Sequence, residues 1–273
     1  MYTETAGNGF YENRFLKSSV SERICSMFRL IIAIAFAALY LILGIPVLIA
    51  EWFIGKVNKP LMDQSSLHMV QWALGVITRI CGVELTIIGK ERIPSDQAVL
   101  YVCNHRSYFD IIIGYSLMPG LTGYISKDDL AKVPLLRIWM RRLYCLFLKR
   151  DDPKQGIQMI KDACQNIENG VSMCIFPEGT RNKGAENENT LMEFKKGSFK
   201  IAERTGCPVV PIAISNTFCI LGKNKPRVTP GHVVFEYGEP IYTADLDRKE
   251  KKLLNITCQK RIQEMLDKNK ALV

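Results

Sequence analysis

At 273 residues, the chain can hold one sizeable domain plus an additional element. A hydrophobic share of 48% against 23% charged excludes a disordered chain. The net charge of +9 points to an anionic partner, but the Arg and Lys residues are spread rather than striped and no nucleic-acid module is recognisable. A phospholipid surface or a phosphorylated substrate is therefore expected, and nucleic acid is not.

In chain order, residues 1 to about 20 are polar and read as loosely ordered. Leu30 to Ala50 is an uncharged run of 21 residues, interrupted by Gly44 and Pro46. That is long enough to span a bilayer core of ~30 Å. It is too long for a signal peptide, and Leu48-Ile-Ala-Glu51 is a poor cleavage site. The next segment, Leu61 to Cys81, opens at Pro60 and carries Leu67, Val70, Leu74, Ile77 and Thr78 at helical spacing. His68, Gln71 and Arg79 make it amphipathic rather than spanning. One apolar and one amphipathic helix in succession predict a membrane-seated helical hairpin within residues 1–82, with a single true span as the rival.

From Val83 the pattern becomes α/β. Strands are predicted at Val83–Ile88, 98–103, 121–126, 144–148, 173–176, 209–214 and 232–237. Helices are predicted at Phe109–Leu117, 128–132 with a restart at Pro134, Pro153–Glu168 ending before Gly170, 194–204, and 245–270. In the last of these, Leu253, Ile256, Lys260 and Met265 are read as one face. Strands alternating with helices predict a single largely parallel or mixed sheet with helices on both faces, filling residues 83–273.

The nine Cys residues contain no C-x-x-C pair, which argues against zinc, and no metal or cofactor is expected. Their odd number and apolar settings fit a reducing cytoplasm. With the apolar segment, this predicts a cell-membrane protein whose site faces the cytoplasm.

Two polar islands follow apolar runs. In the first, Tyr101-Val-Cys-Asn-His-Arg-Ser-Tyr-Phe-Asp110, a His and an Asp sit at a strand-to-helix turn, where open α/β sheets place their sites. A neutral imidazole there can take a proton from a hydroxyl while a carboxylate holds its other nitrogen. Cys103 offers a competing ping-pong chemistry, but it lies inside an apolar run where a thiol is inert. In the second island, Phe176-Pro-Glu-Gly-Thr-Arg-Asn182, Gly179 permits a tight turn and an Arg fork with backbone N–H groups suits a phosphate. A structural Glu178–Arg181 pair is the plainer alternative.

Asn104-His105 with Asp110, followed by Phe176-Pro-Glu-Gly-Thr-Arg181, resembles the glycerolipid acyltransferases, in particular the 1-acylglycerol-3-phosphate acyltransferases. Lys127 through Arg150, Phe194-Lys-Lys-Gly197 and Val210-Pro-Ile-Ala-Ile214 match further segments in order, so the resemblance covers about residues 70–240. It implies His105 as general base with Asp110 as its partner. Glu178, Gly179, Thr180, Arg181, Arg150 and Lys127 would hold the acceptor. Acyl-CoA or acyl carrier protein would be the donor, lysophosphatidic acid the acceptor and membrane phospholipid the setting. Another lyso-lipid acceptor, or a silent lipid-binding protein on the same fold, are the alternatives. The chain departs from the family pattern at Lys149, where an acidic residue is common, and at Arg137 and Tyr144, where glycines are common.

Overall fold

The computed structural model describes residues 20–149, 152–182, 190–222 and 226–273. The polar N-terminal stretch 1–19 and Arg150 lie outside the described residues. Seven strands form one sheet: β1 (Val83–Ile88), β2 (Leu100–Cys103), β3 (Thr122–Lys127), β4 (Leu146–Leu148), β5 (Ser172–Ile175), β6 (Val209–Ser215) and β7 (Gly231–Tyr237), in the order β1-β7-β6-β2-β5-β3-β4. All neighbours are parallel except β6 and β7. The largely parallel sheet is as expected. The five strands from β6 to β4 therefore end at one edge, while β7 and β1 run the other way.

The helices are α1 (Val20–Val57), α2 (Lys59–Ile80), α3 (Phe109–Leu117), α4 (Pro134–Arg142), α5 (Pro153–Glu168), α6 (Lys200–Thr205), α7 (Thr217–Ile220), α8 (Arg248–Lys252) and α9 (Leu254–Asn269). The central strand β2 shows how both faces of the sheet are covered. Successive side chains of a strand point to opposite faces. Tyr101 and Cys103 join Phe109 and Ile113 of α3 and Leu67 of α2. Leu100 and Val102 join Ala163 of α5, Ile201 of α6 and Leu254, Cys258 and Ile262 of α9. Strands buried on both faces read as continuous apolar runs, and β2 and β6 are buried at every position.

The N-terminal hairpin forms as two helices. The α1 helix runs unbroken through Gly44 and Pro46, and Ile24–Val57 is long and apolar enough to cross a membrane. One face of it is covered: Ser26, Ala33, Leu48 and Glu51 are buried, and a Cβ at Gly44 would come 3.0 Å from the Trp139 ring of α4. The opposite face exposes Phe28, Ile31, Ile42, Leu43 and Phe53. In α2, Leu67, Val70, Leu74 and Ile77 turn inward as the spacing predicts, and His68 and Arg79 turn out. Ala33 of α1 and Leu67 of α2 belong to the same apolar cluster as β2. The hairpin and the sheet thus share a core.

Two expectations are corrected. The C-terminal helix buries Leu254, Cys258, Ile262 and Leu266, whereas Leu253 and Ile256 are 50% and 55% exposed. The chain breaks its helix at Leu253, after a capping box closed by Asp247 and Glu250, and this rotates the inward face by one residue. The strand predicted from Tyr144 begins only at Leu146, because Tyr144 is left-handed with φ 57°. A residue with a Cβ is strained there, and glycine is what the resembling family commonly has at this position. The Tyr144 hydroxyl offsets the strain by donating to Asp63 Oδ2 at 2.6 Å, where Lys59 also binds at 2.7 Å. Tyr144→Phe should therefore lower stability by about 1–2 kcal/mol, the cost of leaving a buried acceptor short of a donor. A thermal melt of the detergent-solubilised protein measures this, and an unchanged melting temperature would show that the hydroxyl offsets nothing.

Candidate active site

The loop after β2 and the start of α3 converge on one carboxylate. Asp110 is fully buried, and its Oδ2 lies 2.8 Å from His105 Nδ1. The same oxygen accepts the backbone N–H groups of Arg106 at 2.6 Å and Ser107 at 2.7 Å. Its Oδ1 accepts a hydrogen bond from the Thr217 hydroxyl, at the start of α7. The His105 side chain is 10% exposed and its ring stacks on Phe176, with centroids 4.2 Å apart. With Nδ1–H donating to Asp110, Nε2 carries the lone pair. Asn104 pins the loop behind the imidazole, its side chain exchanging two hydrogen bonds with the backbone of Ile214 in β6, at 2.9 and 2.8 Å.

The loop after β5 is laced to the same turn. Glu178 Oε1 accepts the His105 N–H at 2.7 Å and its Oε2 accepts the Met192 N–H at 3.1 Å. The Asn182 N–H donates to the His105 carbonyl at 2.8 Å. Glu178 is 2% exposed, and burial raises its carboxyl pKa while the two backbone N–H groups act to lower it. Both Glu178 oxygens are thus spent on backbone N–H groups. Gly179 has φ 73°, and a Cβ there would come 2.7 Å from Lys195 Nζ, so the turn needs glycine and brings a cation against it. Arg181 does not cross the turn to Glu178. Its guanidinium lies 3.8 Å above the Tyr108 ring and donates to the Tyr108 hydroxyl at 3.1 Å. Thr180 is exposed on the same turn.

Lys127, at the end of β3, is at the same edge of the sheet but ion-pairs with Asp129, whose carboxyl is drawn down to about 2 chiefly by that contact and by Lys132. Cys103 is buried 3.6 Å from the Cys174 sulfur, and burial pushes its thiol well above the ordinary range. That holds it as an unreactive thiol. The sequence reading passed over Thr217, Phe176 and Asn104 as supports. Thr217 lies 107 residues from Asp110, and no local pattern marks it.

The His105–Asp110 couple thus lies at the carboxyl end of a parallel strand of an α/β sheet, tied through Glu178 to the glycine turn after β5. Residues 84–215 match the family model described as Acyltransferase. The 1-acyl-sn-glycerol-3-phosphate acyltransferase of Haemophilus influenzae is 30% identical over 205 residues, which are 70% of this chain and 82% of that protein. The corresponding protein of Cocos nucifera is 33% identical over 188 residues, covering 67% of this chain and 56% of its own. The crystal structure of the 1-acyl-sn-glycerophosphate acyltransferase PlsC of Thermotoga maritima aligns with a TM-score of 0.79 and 25% identity, over 92% of this chain and 98% of that one. The chain belongs to the 1-acyl-sn-glycerol-3-phosphate acyltransferase family. It spans about half of some plant relatives, 56% of the coconut protein and 46% of a chloroplast protein of Brassica napus.

The geometry makes Glu178 a residue that positions the His105 turn. Glu178→Gln keeps one acceptor but turns an amide N–H₂ toward a backbone N–H. It should cost about 1–3 kcal/mol of stability and lower turnover more than it raises the acceptor KM. Denaturant unfolding and steady-state kinetics together check this. A rise confined to the acceptor KM, with stability intact, would place Glu178 on the substrate. Cys103→Ser should stay folded and active.

Proposed function

We propose that this protein transfers a fatty acyl group from a thioester, acyl-CoA or acyl carrier protein, to the free hydroxyl of 1-acylglycerol-3-phosphate, giving phosphatidic acid. The observation that carries the reading is the His105–Asp110 couple. Its Nδ1–Oδ2 contact is 2.8 Å and the carboxylate is sealed from water. Family membership supports the substrate class, and the relatives are named for this acceptor.

The chemistry follows from one base. His105 Nε2 takes the acceptor hydroxyl proton as that oxygen attacks the thioester carbonyl, so a C–O bond forms and the carbonyl oxygen becomes an oxyanion. Asp110 stabilises the imidazolium. Collapse of the tetrahedral species breaks the C–S bond, and the leaving thiolate recovers the proton from His105. No acyl-enzyme is required, because a thioester is already activated. Arg181, with Gly179, Thr180 and Arg150, is assigned to the acceptor phosphate, and Lys127 lends charge to the same edge. The Arg181 guanidinium, placed over the Tyr108 ring, supplies the planar fork that a bidentate phosphate contact needs.

Residues 1–82 are assigned to the membrane and 83–273 to catalysis, with the site facing the cytoplasm at the cell membrane. The exposed apolar face of α1 supports the seat. Its opposite face stays against the domain from Ser26, which donates to the Val228 carbonyl at 2.6 Å, to Leu48, whose carbonyl accepts from Arg142 at 2.8 Å. The lyso-lipid thereby reaches the site without leaving the bilayer surface.

The test is thiol release by the purified protein given lysophosphatidic acid with acyl-CoA or with acyl carrier protein. Transfer with at least one donor is expected, and none with either sinks the reading. His105→Ala should lose ~10²–10⁴-fold of turnover while still unfolding cooperatively, at a lowered melting temperature because Asp110 loses one of its donors, and near-normal release would remove His105 as the base. Arg181→Lys should raise the acceptor KM more than the donor KM, since Lys lacks the planar fork. Equal changes in both would make Arg181 a structural residue.

A further inference from the structure

A cleft that shares no residue with the His105 turn lies where the C-terminal part of α1, the first turn of α2 and the last turns of α4 meet. Its volume is about 480 Å³, and its lining combines Trp52, Met62 and Ile138 with Lys56, Arg141 and Arg142. The apolar and cationic parts are each placed by the fold. Trp52 and Ile138 are 52% and 40% exposed, so the apolar wall is open rather than filled by the chain. Lys56 stands over the Trp52 ring at 4.4 Å. Arg142 is fixed by the Leu48 carbonyl and by Glu51, whose carboxylate lies 3.5 Å away. Glu51 also accepts from Ser66 at 2.7 Å. The Glu51 carboxylate is thus already shared between Arg142 and Ser66, and Lys56 and Arg141 are exposed at the rim.

We propose that this cleft binds one anionic phospholipid of the surrounding bilayer, as a structural lipid distinct from substrate and product. Its phosphate sits between Lys56 and Arg141, and an acyl chain lies along Trp52, Met62 and Ile138. Charge complementarity selects the occupant: a cationic rim above an apolar wall matches the order of a phospholipid, anionic head above apolar tail. A soluble anion would leave the apolar wall uncovered, and a neutral detergent would leave the cations unpaired. The position agrees, since the cleft opens on the hairpin assigned to the membrane. The inference rests on that assignment but not on the catalytic roles. It also explains why the outward end of α1 carries Trp52 and Lys56 together. An aromatic ring and a Lys are the pair that settles at a headgroup layer.

The experiment is native mass spectrometry of the full-length protein released from nanodiscs of equal parts phosphatidylcholine and phosphatidylglycerol with identical acyl chains. The wild-type protein is expected to retain one phosphatidylglycerol and no phosphatidylcholine. Lys56→Gln with Arg141→Gln should weaken retention roughly 10- to 30-fold, as expected for two lost cations at a membrane surface. The variant should keep the wild-type melting temperature in detergent, because neither side chain is buried. Equal retention by wild type and variant, or retention of both lipids alike, would overturn the site. His105→Ala reports separately: it should retain the lipid as wild type does. A silent enzyme that keeps its lipid sinks only the proposed activity, and an active one that retains none sinks only the lipid site.

Discussion

Asp110 is the group on which the catalytic turn depends. Four donors reach its two oxygens: the imidazole, two backbone N–H groups and the Thr217 hydroxyl. A carboxylate sealed at 0% exposure is costly unless its acceptor sites are filled. Here that need and the chemistry coincide. The donors that make burial tolerable also fix the imidazole's orientation, its tautomer and the path of the chain between β2 and α3. Removing any one partner would leave a buried charge short of a donor as well as a base out of place, so fold and site are set by the same contacts.

The second motif serves the first more than its sequence indicates. Glu178 would look like a substrate ligand in any exposed loop beside an Arg. Its two oxygens instead accept backbone N–H groups from the His105 turn and from Met192, 73 and 14 residues away. Three segments remote in sequence are thus tied at one point. That leaves Gly179, Thr180 and Arg181 as the part of the motif not bonded to the His105 turn, with Lys195 brought close by the absent side chain at position 179.

The α/β order, the parallel sheet and the strand-end location of His105 were legible in the sequence because each rests on local periodicity. The apolar run into β2 and the Ile-rich start of α3 have the same signature wherever they occur. What was not legible depends on tertiary context. The Leu253 and Ile256 face was not legible because the chain forms two helices with a break at Leu253, so the buried stripe of α9 runs through Leu254, Cys258, Ile262 and Leu266 instead. Tyr144 reads as a strand residue from its type, but it takes the left-handed position that closes α4, where the Cys145 N–H donates to the Met140 carbonyl at 3.0 Å, and its hydroxyl is held by a helix 81 residues away. Thr217 carries no pattern at all until the sheet brings β6 beside β2. The pairing of His105 with Asp110 could be expected, whereas the second and third supports of the carboxylate could not.

The hairpin shows how apolar and polar contacts divide the work of docking. Apolar packing of α1 and α2 on the domain is favourable in several registers, because it is not directional. The polar contacts select among them. Ser26 meets the Val228 carbonyl, Gln71 donates to the Met118 carbonyl, Glu51 holds Ser66 and Arg142, and Asp63 holds Lys59 and Tyr144. Buried charge of this kind adds little net stability, since desolvation offsets much of the attraction. Its effect is to make a slipped hairpin expensive, because a shift of one turn would take Glu51 from Arg142 and Asp63 from the Tyr144 hydroxyl. The apolar outer face of α1 is thereby held at one fixed height and angle against the sheet. The distance from that face to His105 is then a property of the fold rather than of chance docking, which is what the proposed approach of a lyso-lipid from the bilayer surface would require.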